Sequence, residues 1–239
     1  NTNATKGSSN FSGSIISTVS ANPSTGFSIA TYTGDGAASA TIGHGLGVAP
    51  KMIILKSRSA SSTYWLVGHD SIGWTKGLYL NDTRAEAAYT PYWNDTAPTS
   101  SVFTLGNWGV DSNGSGSTYV AYSFAEVEGY SKFDKYIGNG SADGPFVYTE
   151  FRPAWIMTKK TNSTSQWAIT DTARSTYNVA KETLEANTSS AESSGTAYQI
   201  DILSNGFKLR DADDARNGSG DTYIYMAFAE NPFKNSNAR

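Results

Sequence analysis

The sequence NGSGSTYVAYSFAE at residues 113–126 returns as NGSGDTYIYMAFAE at residues 217–230, with nine identities in fourteen positions. In both places a turn of Asn, Gly and Ser leads into a run rich in β-branched and aromatic residues. This pattern predicts a tight turn followed by a β-strand. Its return after 104 residues indicates two copies of one β unit.

Blocks further out return at nearly the same distance. YTGDG at residue 32 returns as YIGNG at residue 136, and APKMIILK at residue 49 returns as RPAWIMTK at residue 152. The offset stays between 101 and 104 residues over six such blocks. Shared composition alone does not keep an offset this constant, so the sequence predicts two tandem units related by an internal repeat of about 104 residues.

Each copy is predicted to contain about seven short strands, because segments rich in Val, Ile, Thr, Tyr and Phe alternate with Gly, Pro, Asn and Asp. The predicted strands are residues 27–33, 38–43, 51–56, 64–68, 77–80, 101–105 and 118–124, then 133–137, 146–149, 154–159, 166–170, 197–203, 207–210 and 222–229. Only residues 83–89 and 180–186 are compatible with a helix. The pattern predicts an all-β chain of two antiparallel, jelly-roll-like β-sandwiches.

The repeat divides the chain into three parts. Residues 1–22 are almost entirely Ser, Thr, Asn, Gly and Ala, so we expect a flexible linker or an arm that pairs with a neighbour. The first β-sandwich is predicted at residues 23–128 and the second at residues 129–239. The polar segment ahead of the repeats suggests a piece of a longer multidomain protein.

Composition argues against several classes of function. The chain has no cysteine, which excludes disulfide frameworks, thiol nucleophiles and zinc ribbons and fits synthesis in a reducing cytoplasm. The net charge is −3 without a basic cluster, so nucleic acid is not an expected partner. No apolar run approaches the roughly 18 residues of a membrane helix, so no membrane insertion is expected.

The histidines do not form a recognisable catalytic group. His44 and His69 are the only two in the chain. His69 is followed directly by Asp70 and Ser71, but a catalytic triad needs groups that converge from separate segments. Both histidines are therefore interpreted as hydrogen-bonded turn residues.

A glycosidase would need a pair of carboxylates as acid and base. The residues that could supply it are Glu126, Glu128, Asp143, Glu150 and Glu230. Because Glu126 and Glu230 end the last strand of both copies, a structural contact with a turn amide or a basic side chain is favoured. We expect no enzymatic activity and no cofactor.

An acidic loop in the second copy is a possible calcium site. Calcium binds six to eight oxygens, and carboxylates in one loop can supply several of them. The calcium candidates are Asp211, Asp213, Asp214 and Asp221. The first copy has few equivalents and the EF-hand glutamate is missing, so a solvated acidic hairpin loop is the favoured interpretation.

Aromatic residues in loop-like sequence of the first copy are candidates for ligand binding. They are Trp74, Tyr89, Tyr92, Trp93 and Trp108. Aromatic faces beside Asn and Asp stack on sugar rings and bind hydroxyl groups, and aromatic loops rich in Ser and Asn also form protein-binding surfaces. The alternative is that rings such as Trp93 close one end of the sandwich.

The amino-acid sequences of several blocks resemble a known protein module. IGHGLGVAPKMIILKSR at residues 42–58, YWNDTAPTSSVFTLG at residues 92–106 and AFAENPF at residues 227–233 are similar to a repeat module of long virion proteins from tailed bacteriophages. There the module often follows a SPRY or concanavalin-like domain. The resemblance implies a tail-fibre or tail-associated protein, made in the host cytoplasm and displayed on the virion surface. It also implies contacts with other virion proteins and a homo-oligomer, with a trimer favoured.

Three functions are compatible with these observations. The favoured one is a non-enzymatic virion surface module that contributes to recognition of a host-surface glycan or protein. The second is a purely structural spacer or capsid decoration. The third, less favoured, is a polysaccharide depolymerase that uses Glu126 or Glu150.

Overall fold

The computed structural model describes residues 7–231. The prediction of an all-β chain is confirmed, because the secondary structure consists of short strands in open sheets whose strands pair antiparallel. Within the described residues, the only α-helix is the four-residue α1 (Asp214–Asn217). No helix in this part of the chain is long and apolar enough to cross a membrane.

The described chain forms two compact units. Unit 1 comprises residues 7–80 and 86–126, and unit 2 comprises residues 81–85 and 127–231. The short segment 81–85 thus leaves the first unit and belongs by its contacts to the second. There the carbonyl oxygen of Thr83 accepts hydrogen bonds from the backbone nitrogen of Ser165 at 2.9 Å and from Nζ of Lys159 at 3.2 Å.

Unit 1 is built from ten strands. They are β1 (Ser8–Asn10), β2 (Ser17–Asn22), β3 (Phe27–Thr33), β4 (Ala40–Gly43), β5 (Met52–Ser57), β6 (Trp65–His69), β7 (Lys76–Tyr79), β8 (Ala87–Ala88), β9 (Val102–Leu105) and β10 (Thr118–Phe124). Eight form one sheet in the order β1-β2-β3-β10-β5-β6-β7-β8, and β4 pairs with β9. The apolar run of residues 52–55 is fully buried in β5, as a central strand packed on both faces should be.

Unit 2 is built from eight strands. They are β11 (Ser131–Ile137), β12 (Phe146–Tyr148), β13 (Pro153–Lys160), β14 (Trp167–Asp171), β15 (Thr183–Glu185), β16 (Ile200–Leu203), β17 (Gly206–Leu209) and β18 (Thr222–Ala229). One sheet has the order β11-β18-β13-β14-β15, and a second has the order β12-β17-β16. Tyr136, Ile156, Ile202, Phe207 and Tyr225 belong to the apolar core of this unit.

The two segments compatible with a helix are extended instead. In the first, Ala87 and Ala88 form β8 and pair with Gly77 and Lys76. In the second, Thr183–Glu185 forms β15 and pairs with β14. Backbone hydrogen bonds to a neighbouring strand outweigh the modest helix propensity of Ala, Glu and Lys.

The described part of the N-terminal segment is built into unit 1. β2 pairs antiparallel with β3, and β1 pairs with β2. Ile15 is buried and forms a bridge with Ile42 of β4, while the hydroxyl of Ser17 donates to the carbonyl oxygen of Gly43 at 2.9 Å. The composition predicts a linker or an arm that pairs with a neighbour. In the structure, residues 8–22 instead cover the edges of β3 and β4 of their own unit.

The repeated segments at residues 113–126 and 217–230 make the same ring contacts in the two units. Tyr119 of β10 stacks on Tyr32 at 5.0 Å, and Tyr223 of β18 stacks on Tyr136 at 5.1 Å. The hydroxyl of Tyr119 accepts from the backbone nitrogen of Gly114 at 2.8 Å, inside the NGSG turn. Each stacked pair thus joins the last strand of a unit to a neighbouring strand from earlier in the chain, β3 in unit 1 and β11 in unit 2, beside the turn that precedes the last strand.

The asparagine of each NGSG turn also bonds in the same way. Nδ2 of Asn113 donates to the carbonyl oxygen of Ala37, and Nδ2 of Asn217 donates to that of Ser141, each at 2.8 Å. Gly34 passes so close to this turn that an added Cβ would lie 2.5 Å from the carbonyl oxygen of Gly114. The glycine is therefore required for the close approach.

We predict that replacing Tyr119→Phe lowers the free energy of unfolding of unit 1 by about 1–3 kcal/mol. The change leaves the backbone N–H of Gly114 and the carbonyl of Val110, which the hydroxyl contacts at 3.0 Å, without their partner. Urea denaturation followed by circular dichroism measures the loss. The matched control is Tyr122→Phe on the same strand, where the ring of Tyr122 lies half-buried against Trp65. This variant should unfold at the same urea concentration as the wild type.

Candidate functional site

Three of the five aromatic residues that the sequence places in loops are buried in the core of unit 1. Trp74 is 6% exposed, Tyr92 is 4% exposed and Trp93 is 1% exposed. These three candidates for ligand binding are therefore core residues, whose rings are not exposed to a ligand. The indoles of Trp74 and Trp93 meet edge to face at 5.4 Å, and Trp93 fills the core as the alternative interpretation proposed.

Strand glycines explain this burial. A Cβ on Gly68 of β6 would lie 2.4 Å from the Trp74 ring and 2.8 Å from the Trp93 ring, and a Cβ on Gly77 of β7 would lie 2.7 Å from the ring of Tyr92. The missing side chains create the space that the large rings fill. Gly68 and Gly77 both lie inside predicted strands, with large aromatic residues nearby in the sequence. This combination is the sequence signal that would have indicated packing of these aromatic rings in the core.

The remaining two candidates lie at the surface of unit 1. Tyr89 is 45% exposed, and Trp108 is half-buried. Their rings meet at 6.3 Å, and Trp108 also stacks on the half-buried Tyr64 at 6.0 Å with only 7° between the ring planes. We call Tyr64, Tyr89 and Trp108 the aromatic platform. Tyr64 was missed by the sequence analysis because it lies inside a predicted strand.

Buried rings support the platform from below. Tyr79 stacks on Tyr64 at 4.4 Å and on Trp108 at 5.6 Å. Tyr92 packs edge to face on Trp108 at 4.8 Å and on Tyr89 at 5.0 Å. The hydroxyls of Tyr79 and Tyr92 hydrogen-bond to each other. The exposed rings are thus held by a rigid aromatic layer and lose little freedom when a ligand binds.

Backbone contacts hold the loops that carry the platform. The backbone nitrogen of Trp108 donates to the hydroxyl of Ser112 at 3.2 Å, and this hydroxyl donates to the carbonyl oxygen of Gly106. The backbone nitrogen of Tyr64 donates to Oδ1 of Asp111 at 2.9 Å. Asn107 is exposed beside Trp108 and supplies an amide group. Aromatic faces next to amide and carboxylate groups are suited to sugar rings.

The histidines have structural roles, as the sequence analysis proposed. Both are fully buried. Nδ1 of His44 accepts from the backbone nitrogen of Leu46 at 3.2 Å, so Nε2 carries the proton and donates to the carbonyl oxygen of Thr99. Burial lowers the pKa of His44, and the hydrogen bond to Thr99 opposes this shift. Nδ1 of His69 accepts from the backbone nitrogen of Ser71 and caps a short helical turn.

Three of the carboxylates considered for acid–base catalysis are paired with basic side chains. Glu150 lies 3.3 Å from Lys132, and Glu230 lies 2.8 Å from Arg152. Asp143 lies 2.6 Å from Lys208. The prediction that Glu230 receives a basic side chain is confirmed. Ion pairs of this kind at the surface are typical of structural contacts.

The acidic loop of unit 2 is paired with a buried lysine from β13. Nζ of the buried Lys160 lies 2.8 Å from Asp214 and 2.7 Å from Asp221. Burial alone would lower the pKa of Lys160, but the hydrogen bonds to these two carboxylates raise it. Asp211 binds the backbone nitrogens of Gln199 and Asp213. In the described part of the chain, no group of three or more His, Cys, Asp or Glu residues could hold a metal ion.

We predict that Trp93→Ala destabilises unit 1 by about 3–5 kcal/mol, because it removes a buried indole and leaves a cavity. Tyr89→Ala should cost less than about 1 kcal/mol, since this residue is 45% exposed and its removal leaves no buried cavity. Urea denaturation of the two variants measures the difference. Equal stability of both variants would contradict the assignment of Trp93 to the core.

We predict that the stability of unit 1 falls as the pH drops from 7 to 5. The pKa of His44 lies below its usual 6.5 in the folded state. In this range the unfolded chain therefore binds a proton at His44 that the folded chain does not. His44→Asn, which keeps an acceptor for Leu46, should weaken this pH dependence. Urea denaturation at both pH values tests this, and an unchanged dependence would contradict it.

Comparison with known proteins places the chain in a family. No curated protein and no solved structure matches it. The model of the family described as "Domain of unknown function (DUF7483)" matches residues 2–232, which is nearly the whole chain. The chain therefore belongs to the DUF7483 family.

Proposed function

We propose that this chain is a non-enzymatic surface module of a tailed-bacteriophage virion, in a tail fibre or tail-associated protein, that contacts a glycan of the host surface. The observation that carries the proposal is the aromatic platform of unit 1. Tyr89 is exposed there and Trp108 is half-buried, while buried rings beneath them keep their orientation.

Sugar binding suits this arrangement for physical reasons. The apolar face of a hexose can stack on a tyrosine or tryptophan ring, and its hydroxyls then need polar partners at the ring edge. Asn107 and Asp111 supply an amide and a carboxylate in the loop that carries Trp108. Because the rings are already packed, binding costs little side-chain entropy.

The location on a virion is supported by the resemblance of residues 42–58 and 92–106 to the phage module. The same resemblance supports contacts with other virion proteins, a homotrimer, and display outside the cell after synthesis in the host cytoplasm. The polar, cysteine-free composition is compatible with both compartments.

The two units are copies of one jelly-roll-like β-sandwich, related by the repeat of about 104 residues. Support comes from the equal order of strands, with β3-β10-β5-β6-β7 in unit 1 and β11-β18-β13-β14-β15 in unit 2. The stacked pairs Tyr32–Tyr119 and Tyr136–Tyr223 add support, since both members are separated by 104 residues from their counterparts.

A structural spacer or capsid decoration is the second candidate. It is favoured by the burial of Trp74, Tyr92 and Trp93, since core packing accounts for these aromatics without a ligand. A depolymerase is less well supported, because Glu150 is paired with Lys132.

We predict that Trp108→Ala and Tyr89→Ala each weaken binding to host-envelope glycans about tenfold, which corresponds to about 1.4 kcal/mol. Binding is measured on a glycan array and by retention on host cells. Phe11→Ala, which removes another exposed aromatic of unit 1, is the matched control and should bind like the wild type.

Thermal melts must first show that the variants are folded. If both platform variants retain wild-type binding, or if the wild type binds neither the array nor host cells, the adhesive function is contradicted. The spacer function would then account for the fold.

A further inference from the structure

Unit 2 contains an open cleft with a volume of about 490 Å³. The cleft is lined mainly by the segment between β14 and β15, through residues 174–179, Lys181 and Glu182. Gln199, next to β16, completes the lining. None of these residues was selected by the sequence analysis. The cleft lies wholly within unit 2 and shares no residue with the aromatic platform.

Ser175 closes the two ends of this loop against each other. Its hydroxyl accepts hydrogen bonds from the backbone nitrogens of Lys181 at 3.3 Å and Glu182 at 3.1 Å, and it donates to the carboxylate of Glu182. Its backbone nitrogen donates to the carbonyl oxygen of Asp171 at 3.1 Å. Ser175 is only 5% exposed, so these bonds are shielded from water.

Asn178 and Ala180 attach the same loop to β16. The amide of Asn178 donates to the carbonyl oxygen of Ile202 at 3.0 Å and accepts from its backbone nitrogen at 2.8 Å. Ala180 exchanges two backbone hydrogen bonds with Ile200, at 2.8 and 3.0 Å. Hydrogen bonds therefore hold the loop at five residues, Ser175, Asn178, Ala180, Lys181 and Glu182, and its shape is set before any ligand binds.

This rigid loop presents an aromatic ring to solvent. Tyr177 is 86% exposed, and Val179 beside it is 37% exposed. The side chains of Tyr177, Lys181 and Gln199 make no hydrogen bond or ion pair with another described residue. An exposed ring on an anchored loop, beside uncommitted polar groups, is the arrangement of a preformed recognition site.

The charges of the cleft favour an uncharged ligand. The guanidinium of Arg174 is already held by Asp171 at 2.6 Å and by Glu192 at 3.1 Å. Lys181 is adjacent in sequence to Glu182, and its positive charge helps to lower the pKa of that carboxyl, after the larger effect of the Ser175 hydrogen bond. An anionic ligand would be attracted by Lys181 and repelled by Glu182, and a cationic ligand the reverse, so this pair gives no net preference for either charge.

We infer that this cleft binds a neutral hexose unit of a polysaccharide, as a second binding site independent of the aromatic platform. The ring of Tyr177 stacks on the sugar face. Lys181 donates to hydroxyls, Glu182 accepts from them, and Gln199 can do both. Each sugar hydroxyl is both donor and acceptor, so a mixed set of partners suits it better than a set of one charge.

The proposal is tested by saturation-transfer NMR and titration of the whole chain with four neutral probes: malto-, cello-, manno- and galacto-oligosaccharides. We expect at least one probe to bind, and Tyr177→Ala to weaken it about tenfold, or about 1.4 kcal/mol. Gln199→Ala should weaken the same probe. Raising the salt concentration should change the affinity little, because screening acts on charged ligands.

Tyr148→Ala is the matched control, since this tyrosine of unit 2 is also exposed, at 57%, but does not line the cleft. It should bind like the wild type. Because Tyr177 lines the cleft and does not belong to the aromatic platform, a loss of affinity on Tyr177→Ala assigns the probe to the cleft. The proposal is overturned if no probe binds, if Tyr177→Ala binds normally, or if binding disappears with salt. A folded Tyr177→Ala variant is verified by its thermal melt.

Discussion

In each unit the last strand along the chain hydrogen-bonds to two strands that come much earlier. β10 pairs with β3, where Phe124 faces Phe27, and also with β5. β18 pairs with β11 and β13 in the same manner. Neither sheet is complete until its last strand lies between these two earlier strands. Such long-range pairing carries a large loop-closure cost, which the stacked tyrosines and the buried apolar strands must offset.

This constraint explains why the NGSG blocks are so similar. The turn before the last strand must hold the strand end in position, and it does so through asparagine amides and tyrosine hydroxyls rather than through apolar contacts. Buried donors and acceptors that lose such partners are costly, so few residue types are compatible with these positions. Gly34 is also constrained, but for a steric reason, because any side chain there would collide with the turn.

The candidate binding surfaces lie where these constraints are weakest. The aromatic platform and the cleft are both made by loops between strands, and both are held by backbone bonds to hydroxyl, amide or carboxylate side chains. Loops can vary without disturbing the sheets, which is why recognition residues are commonly placed on them. The family assignment leaves the ligand open, so the chemistry of these two surfaces is the guide to it.

The all-β class, fourteen of the strands and the buried central run at residues 52–55 followed from the sequence, because alternation and β-branched content are local properties. The strands β1, β2, β8 and β15 did not, because they form through pairing with neighbouring strands in segments whose composition predicts a linker or permits a helix. The exposure of single aromatic rings did not. Trp74 and Trp93 have polar neighbours in sequence but fill space left by Gly68, and only the folded sheet brings these residues together. Likewise Lys160 meets Asp214 and Asp221 across more than 50 residues of chain. No sequence pattern was a reason to select Tyr177, since the rigid loop and the cleft form only through contacts between segments that are distant in the chain.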